Sequence, residues 1–197
     1  MRPTPSTTAT FNGTVRAIAY SGTTAYIGGD FSAAYWNGGT YSRTRLAAIN
    51  VTTGALLSWS PKADKAVRAI AVSGSTVYIG GDFGVVSGVT RRRVAGLAAA
   101  TGALRAAPNA AIYGQVYSLA VGNGRLYLGG RIAAIGSQAR SNLAALALNS
   151  GALDGTWKPR AEDRVETVVF TSGRVYVGGI FSNVSGVARA AGDTGWT

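Results

Sequence analysis

Arg43, Arg91, Arg140 and Arg189 recur at intervals of 48, 49 and 49 residues, each just before an apolar segment. A guanidinium fork grips a carboxylate, sulfate or phosphate through two parallel hydrogen bonds. Four of them on equivalent loops would form an anion-binding face, thickened by Arg45, Arg92 and Arg93. The competing reading is structural: each Arg ties its own loop to neighbouring carbonyls, or pairs with Asp30 and Asp82. Arg16 and Arg68 hold a second shared position, taken later by Tyr117 and Glu166, so a site there would be asymmetric. Tyr35, Trp36 and Tyr41 lie in an insertion of the first repeat, and exposed rings of this kind stack on sugars or bases.

Catalytic chemistry has fewer carriers. There is no histidine, which removes the usual general base, and no cysteine, which removes thiolates and disulfides. Asp30 and Asp82 are matched carboxylates that a glycosidase-like enzyme could use. Glu162, Asp163 and Glu166 cluster, but their spacing fits no defined calcium loop. No metal or cofactor is expected. Asn12, Asn50 and Asn183 begin sequons, which arise by chance in a chain so rich in Ser and Thr.

These residues are positioned by an internal repeat. Val15 to Phe31 and Val67 to Phe83 match almost letter for letter, and looser copies start at Val116 and Val165. The starts are 52, 49 and 49 residues apart, and Tyr26, Tyr78, Tyr127 and Tyr176 keep the same steps. A period near fifty residues defines the architecture before any site. In the second copy the apolar pattern divides into 67–73, 76–84, 93–100 and 103–107, bounded by turn pairs such as Ser73-Gly74 and Thr101-Gly102. No stretch carries a capped 3.6-residue period, so helices are not expected. Strict alternation sets Val77, Ile79 and Phe83 against Tyr78, and Val67, Ala69 and Ala71 against Ile70 and Val72. Both faces of each sheet are then apolar, and both must be covered.

Sheets repeated radially meet that demand. The expected fold is all-β: a β-propeller of four ~49-residue blades, each a four-stranded antiparallel sheet, in a single domain over 1–197. The blades span approximately 12–60, 61–109, 110–159 and 160–197, the last completed by residues 2–10 as its outer strand. A parallel β-solenoid is the rival. The ring either closes with four blades as a monomer or pairs with a second half-ring as a homodimer.

The segment from Leu46 to Trp59, with its Thr53-Gly54 turn, and its counterpart from Leu143 to Trp157 resemble the outer hairpins of quinoprotein-like propeller repeats. Asn50 stands where that pattern has Asp. With Tyr-x-Gly-Gly-Asp-Phe, the chain resembles bacterial secreted or cell-surface β-propeller repeat proteins over roughly residues 11–197. The resemblance implies an extracellular or cell-surface location; it specifies a blade and no chemistry.

Composition narrows the partners. With 19 Lys and Arg against 8 Asp and Glu, the net charge of +11 favours acidic polymers, though an Arg- and Ala-rich composition alone produces such a balance. No apolar run is long enough to span a membrane, and residues 1–10 lack the apolar core of a signal peptide. The first expectation is a non-enzymatic binding module for a glycan, an anionic polymer or a protein partner. The second is a structural unit of a larger propeller, and the third a glycosidase-like enzyme. Nucleic acid stays open on charge alone.

Overall fold

Four sequence repeats give seven small antiparallel sheets among the described residues of the computed structural model, which describes residues 8–185 and the backbone of 187 and 188. The first repeat contains β2 (Val15–Ser21), β3 (Thr24–Gly29), β4 (Ala33–Trp36), β5 (Gly39–Ser42) and β6 (Leu46–Asn50), preceded by β1 (Thr10–Phe11). The second contains β7 (Val67–Ser73), β8 (Thr76–Gly81), β9 (Val85–Val86), β10 (Val89–Thr90) and β11 (Val94–Ala98). The third contains β12 (Ile112–Gly122), β13 (Arg125–Ile135), β14 (Gln138–Ala139) and β15 (Leu143–Ala147). The fourth contains β16 (Val165–Thr171), β17 (Arg174–Gly179), β18 (Asn183–Val184) and β19 (Val187–Ala188). Among the described residues there is no helix, and every strand ladder is antiparallel, which removes the parallel solenoid.

The pairing recurs in register. Ile18 faces Ile27, Ile70 faces Ile79, Leu119 faces Leu128 and Val168 faces Val177. In the first three repeats the expected fourth strand shrinks to one bridge, Ile49 to Leu56, Leu97 to Leu104 and Leu146 to Leu153, and its counterpart in repeat 4 lies outside the described residues. The second strand of repeat 2 ends at Gly81 rather than 84, because Asp82 turns its amide onto the Ala66 carbonyl. An extra hairpin then separates the second strand from the third. Its tips, Asn37-Gly38 and Ser87-Gly88, take two successive positive-φ residues, the geometry of a tight hairpin turn.

A bulge falls at one place in all four first strands: the register shifts between Val15 and Ala17, Val67 and Ala69, Val116 and Ser118, and Val165 and Thr167. This corrects the expected alternation. The extra residue at Arg68 moves Val67 to the side of Ile70 and Val72, away from Ala69 and Ala71. The second strands alternate as expected: Val77, Ile79 and Phe83 pack toward repeat 1, and Tyr78 packs toward repeat 3.

The core therefore lies in the seams between consecutive repeats. Val67 and Ile70 press on Gly28, Val116 and Leu119 on Gly80, and Val165 and Val168 on Gly129. A methyl group on any of these three glycines would come within 2.6 Å of a Val carbon. Part of the outer side of repeat 1 is covered by the residues that lead into it. Ala9 donates its amide to Gly54, β1 pairs with β4, and Phe11 stacks on Phe31 at 4.5 Å between centroids. Residues 9–11 thus serve repeat 1, while the rest of the segment expected to complete repeat 4, apart from Thr8, lies outside the described residues.

Gly129→Ala, whose new carbon would sit 2.5 Å from Val168 and 2.7 Å from Val165, is expected to destabilise the fold. Overpacking of this kind costs about 1–3 kcal/mol in urea unfolding. Gly155→Ala, with open space around it, should stay within about 0.5 kcal/mol of the wild type. Equal losses at both positions would contradict the seam packing.

Candidate functional site

The four bulge residues converge. Arg16, Arg68, Tyr117 and Glu166, one from each repeat, line a single depression of about 490 Å3 together with Arg164. A bulge re-aims its side chain, and here it turns all four toward a common space. Arg16 Nε donates to Asp30 at 2.5 Å, and Arg68 Nε donates to Asp82 at 2.8 Å. Asp82 also accepts from Gln115 at 3.0 Å, and Gln115 accepts from the Tyr117 hydroxyl at 2.6 Å. The guanidiniums of Arg68 and Arg164 sit 5.2 and 5.6 Å from the Tyr117 ring centre. Arg164 pairs with Glu166. The hydrogen bond to Asp82 raises the Arg68 pKa above its ordinary value, against the opposing effect of burial. Each cation in this depression therefore has a carboxylate partner, and Asp30 and Asp82 are held as those partners.

The recurrent arginines have a uniform role. Arg43 donates to the carbonyls of Ser42 and Leu57, Arg91 to Thr90 and Arg105, and Arg140 to Ala139 and Asp154. In each case the fork ties the residue just before it to the outermost segment of its own sheet. Burial lowers the Arg43 pKa, with Tyr41 acting the other way. Arg189 lies outside the described residues. The aromatic insertion forms the hairpin of β4 and β5, with Tyr35 and Tyr41 exposed and Trp36 half-buried against the cover of repeat 1. Trp36 and Tyr41 lie 6.4 Å apart, and Arg43 sits 6.0 Å from the Tyr41 ring.

A second set of residues crosses the seams. Arg45 donates to Ala63, Arg93 to Gly114 and Asn142 to Ala161, all from left-handed backbone positions. At the third seam the shorter Asn replaces Arg, and a groove of about 750 Å3 opens there. Its lining includes Arg131, Asn142, Arg160, Glu162 and Asp163. Arg131 stands where repeats 1 and 2 carry Asp30 and Asp82. The side chains of Arg131 and Arg160 are exposed and have no hydrogen-bond or ion-pair partner among the described residues. Sequence reasoning passed over both. The signal was present: Gly-Gly-Arg-Ile in place of Gly-Gly-Asp-Phe, and Asn in place of Arg eleven residues later.

The acidic residues are dispersed among separate tasks. Glu162 accepts from the amide of Ser182 at 2.9 Å and from its hydroxyl, contacts that hold its carboxyl below the usual range. Asn12 and Asp64 hold the same turn in repeats 1 and 2, receiving the amides of Ser32 and Ala33 and of Gly84 and Val85. Asp163 accepts from the Arg164 amide, and Glu166 pairs with Arg164. Among the described residues no group of three or more acidic side chains is arranged to hold a metal ion. Asn50 caps its own turn, accepting from Thr52 and Thr53.

No family model matches the chain, and no curated protein matches it. Its structure is similar to that of the computationally designed Ika4 protein, with a TM-score of 0.56 at 17% identity, covering 89% of this chain and 91% of that one. It is also similar to the extracellular domain of the BT4673 one component system from B. thetaiotaomicron, with a TM-score of 0.50 at 14% identity. That match covers 83% of this chain and 19% of the other. At these identities the likenesses bear on fold alone. No helix among the described residues is long and apolar enough to cross a membrane.

Asp154 anchors the outer end of Arg140's sheet. It accepts from Arg125 at 2.5 Å, from the Thr156 hydroxyl at 2.7 Å, and from the amides of Thr156 and Trp157. The Thr156 hydroxyl, aided by Arg125 and the two amides and opposed by burial, holds its carboxyl well below the usual range. Asp154→Ala is expected to lower stability at neutral pH by about 2 kcal/mol. A depressed carboxylate stabilises the fold above its unfolded pKa of about 4 and loses that contribution as pH falls through its folded value. The gap between wild type and variant should therefore narrow on acidification, as urea titrations at several pH values would show; a gap that widens contradicts the assignment.

Proposed function

We propose that the four repeats are blades of a β-propeller and that the protein is a non-enzymatic module binding an acidic glycan in the groove at its third seam. The observation that carries this reading is the pair of guanidiniums, Arg131 and Arg160, unpartnered among the described residues, in a groove of about 750 Å3 beside Glu162 and Asp163. Guanidiniums without an internal partner are free to grip a carboxylate or sulfate in bidentate fashion. Carboxylates on the same wall can accept from sugar hydroxyls. A uronic acid or sulfated sugar presents both kinds of group within one residue. The engagement of Arg43, Arg91 and Arg140 with carbonyls directs the anion site away from that ring and toward this seam.

The blade reading is supported by one residue from each repeat lining a shared depression, and by apolar seams on both sides of repeats 2 and 3. The salt-bridged state of Asp30 and Asp82 supports binding over glycosidase chemistry. The extracellular origin of one structural neighbour accords with a place at the cell surface, as does the resemblance to secreted propeller repeats.

Calorimetry with polygalacturonate and with heparin tests the proposal. Binding is expected at low salt, weakening as ionic strength rises. Arg131→Ala with Arg160→Ala should weaken it at least tenfold, while Arg43→Ala should not, provided the fold survives by circular dichroism. Absence of binding to both polymers, or full affinity in the double variant, overturns the reading.

A further inference from the structure

The chain builds one kind of seam three times, and its first and fourth repeats each present half of another. At the formed seams the leading valine of the first strand, Val67, Val116 or Val165, is 0% exposed against the preceding sheet. The matching Val15 is 38% exposed, and its companions Ile18 and Tyr20 are 50% and 66% exposed. The receiving side is open as well. Tyr26, Tyr78 and Tyr127 are buried against the next repeat, whereas Tyr176 is only half-buried. Val169 and Ile180, on the same face, are 49% and 54% exposed.

The glycine sockets make the same point. Gly28, Gly80 and Gly129 are each filled by the next repeat's valine. Among the described residues, a methyl group on Gly178 would meet only Thr167 of its own sheet. Knob and socket thus sit on one chain and do not reach each other, although Arg16 and Glu166 line the same depression.

We infer that a second copy of this chain covers these faces. The Val15, Ile18 and Tyr20 edge of each copy packs onto the Gly178 and Tyr176 face of the other. The argument is continuity with an established interface. Three internal seams already show that a Val, Ile or Leu knob on this glycine socket forms a buried contact, and among the described residues both halves remain unpaired at the two ends of the series. The contact is head-to-tail, and two of them related by a two-fold axis give the smallest closed assembly in which no copy keeps an open face. The result is a ring of eight repeats. This inference rests on the seams and is independent of the glycan reading, because neither Arg131 nor Arg160 belongs to either face.

Light scattering on the purified chain tests it. The wild type is expected at twice the chain mass of 20.1 kDa. Ile18→Lys on one face and Val169→Glu on the other should each give monomers. Both positions are exposed within a single chain, so circular dichroism should report an intact fold. Mixing the two variants should restore a dimer, since one undamaged seam remains and the other now joins opposite charges. A wild-type monomer, a wild-type species larger than two, or variants that stay apart on mixing would each overturn the proposal.

Discussion

Two consecutive glycines in each second strand constrain almost everything else. The first of them, Gly28, Gly80 or Gly129, leaves room for the valine of the next repeat. The second allows the backbone to close on itself: a carbon on Gly29, Gly81, Gly130 or Gly179 would fall 2.0 to 2.2 Å from the carbonyl oxygen of Thr14, Ala66, Gln115 or Arg164. That close approach lies directly before the register shift of each first strand. Packing and the lining of the shared depression therefore have one cause. The bulge places valine in the seam and sends its neighbour, Arg16, Arg68, Tyr117 or Glu166, into the shared depression. Burial of a valine contributes roughly 1.5–3 kcal/mol, and three such seams join four repeats whose small sheets could not stand alone.

Polar groups follow the same division between what repeats and what varies. Arg43, Arg91 and Arg140 each bind a carbonyl just before them and another fourteen residues on, so identity across repeats marks a structural duty. A buried guanidinium left without acceptors would be costly, and the recurrent carbonyls supply them. The pattern breaks at the third seam. Asn142 in place of Arg, and Arg131 in place of Asp, accompany the groove there and leave charge without a partner among the described residues.

Much of the fold was legible because its signals are local. Turn pairs such as Ser73-Gly74 and the alternation around Tyr78 depend on neighbouring residues, and they gave the strands of repeat 2 closely. The hairpin tipped by Ser87 and Gly88 escaped notice because its strands are two residues long, too short to show alternation. The side taken by Val67 was misread for a different reason. Simple alternation has no term for a bulge, and the carbonyl contact that makes it comes from packing across the strand pair. The candidate site was the least legible part. The recurrent arginines were conspicuous through repetition, whereas Arg131 and Arg160 gain meaning only when the groove around them is known.

The central claim is that glycine and valine on consecutive repeats fit as socket and knob. A double-mutant cycle measures this directly, comparing Gly80→Ala, Val116→Ala and the pair by urea unfolding. A Cβ on Gly80 would lie 2.6 Å from Val116 Cγ1, so trimming the valine should relieve the added methyl. The account predicts a double variant more stable than the sum of the single losses implies, with a coupling of about 1 kcal/mol or more. Losses that add to within about 0.5 kcal/mol would mean that the two residues do not meet, and the seam as described here would not exist.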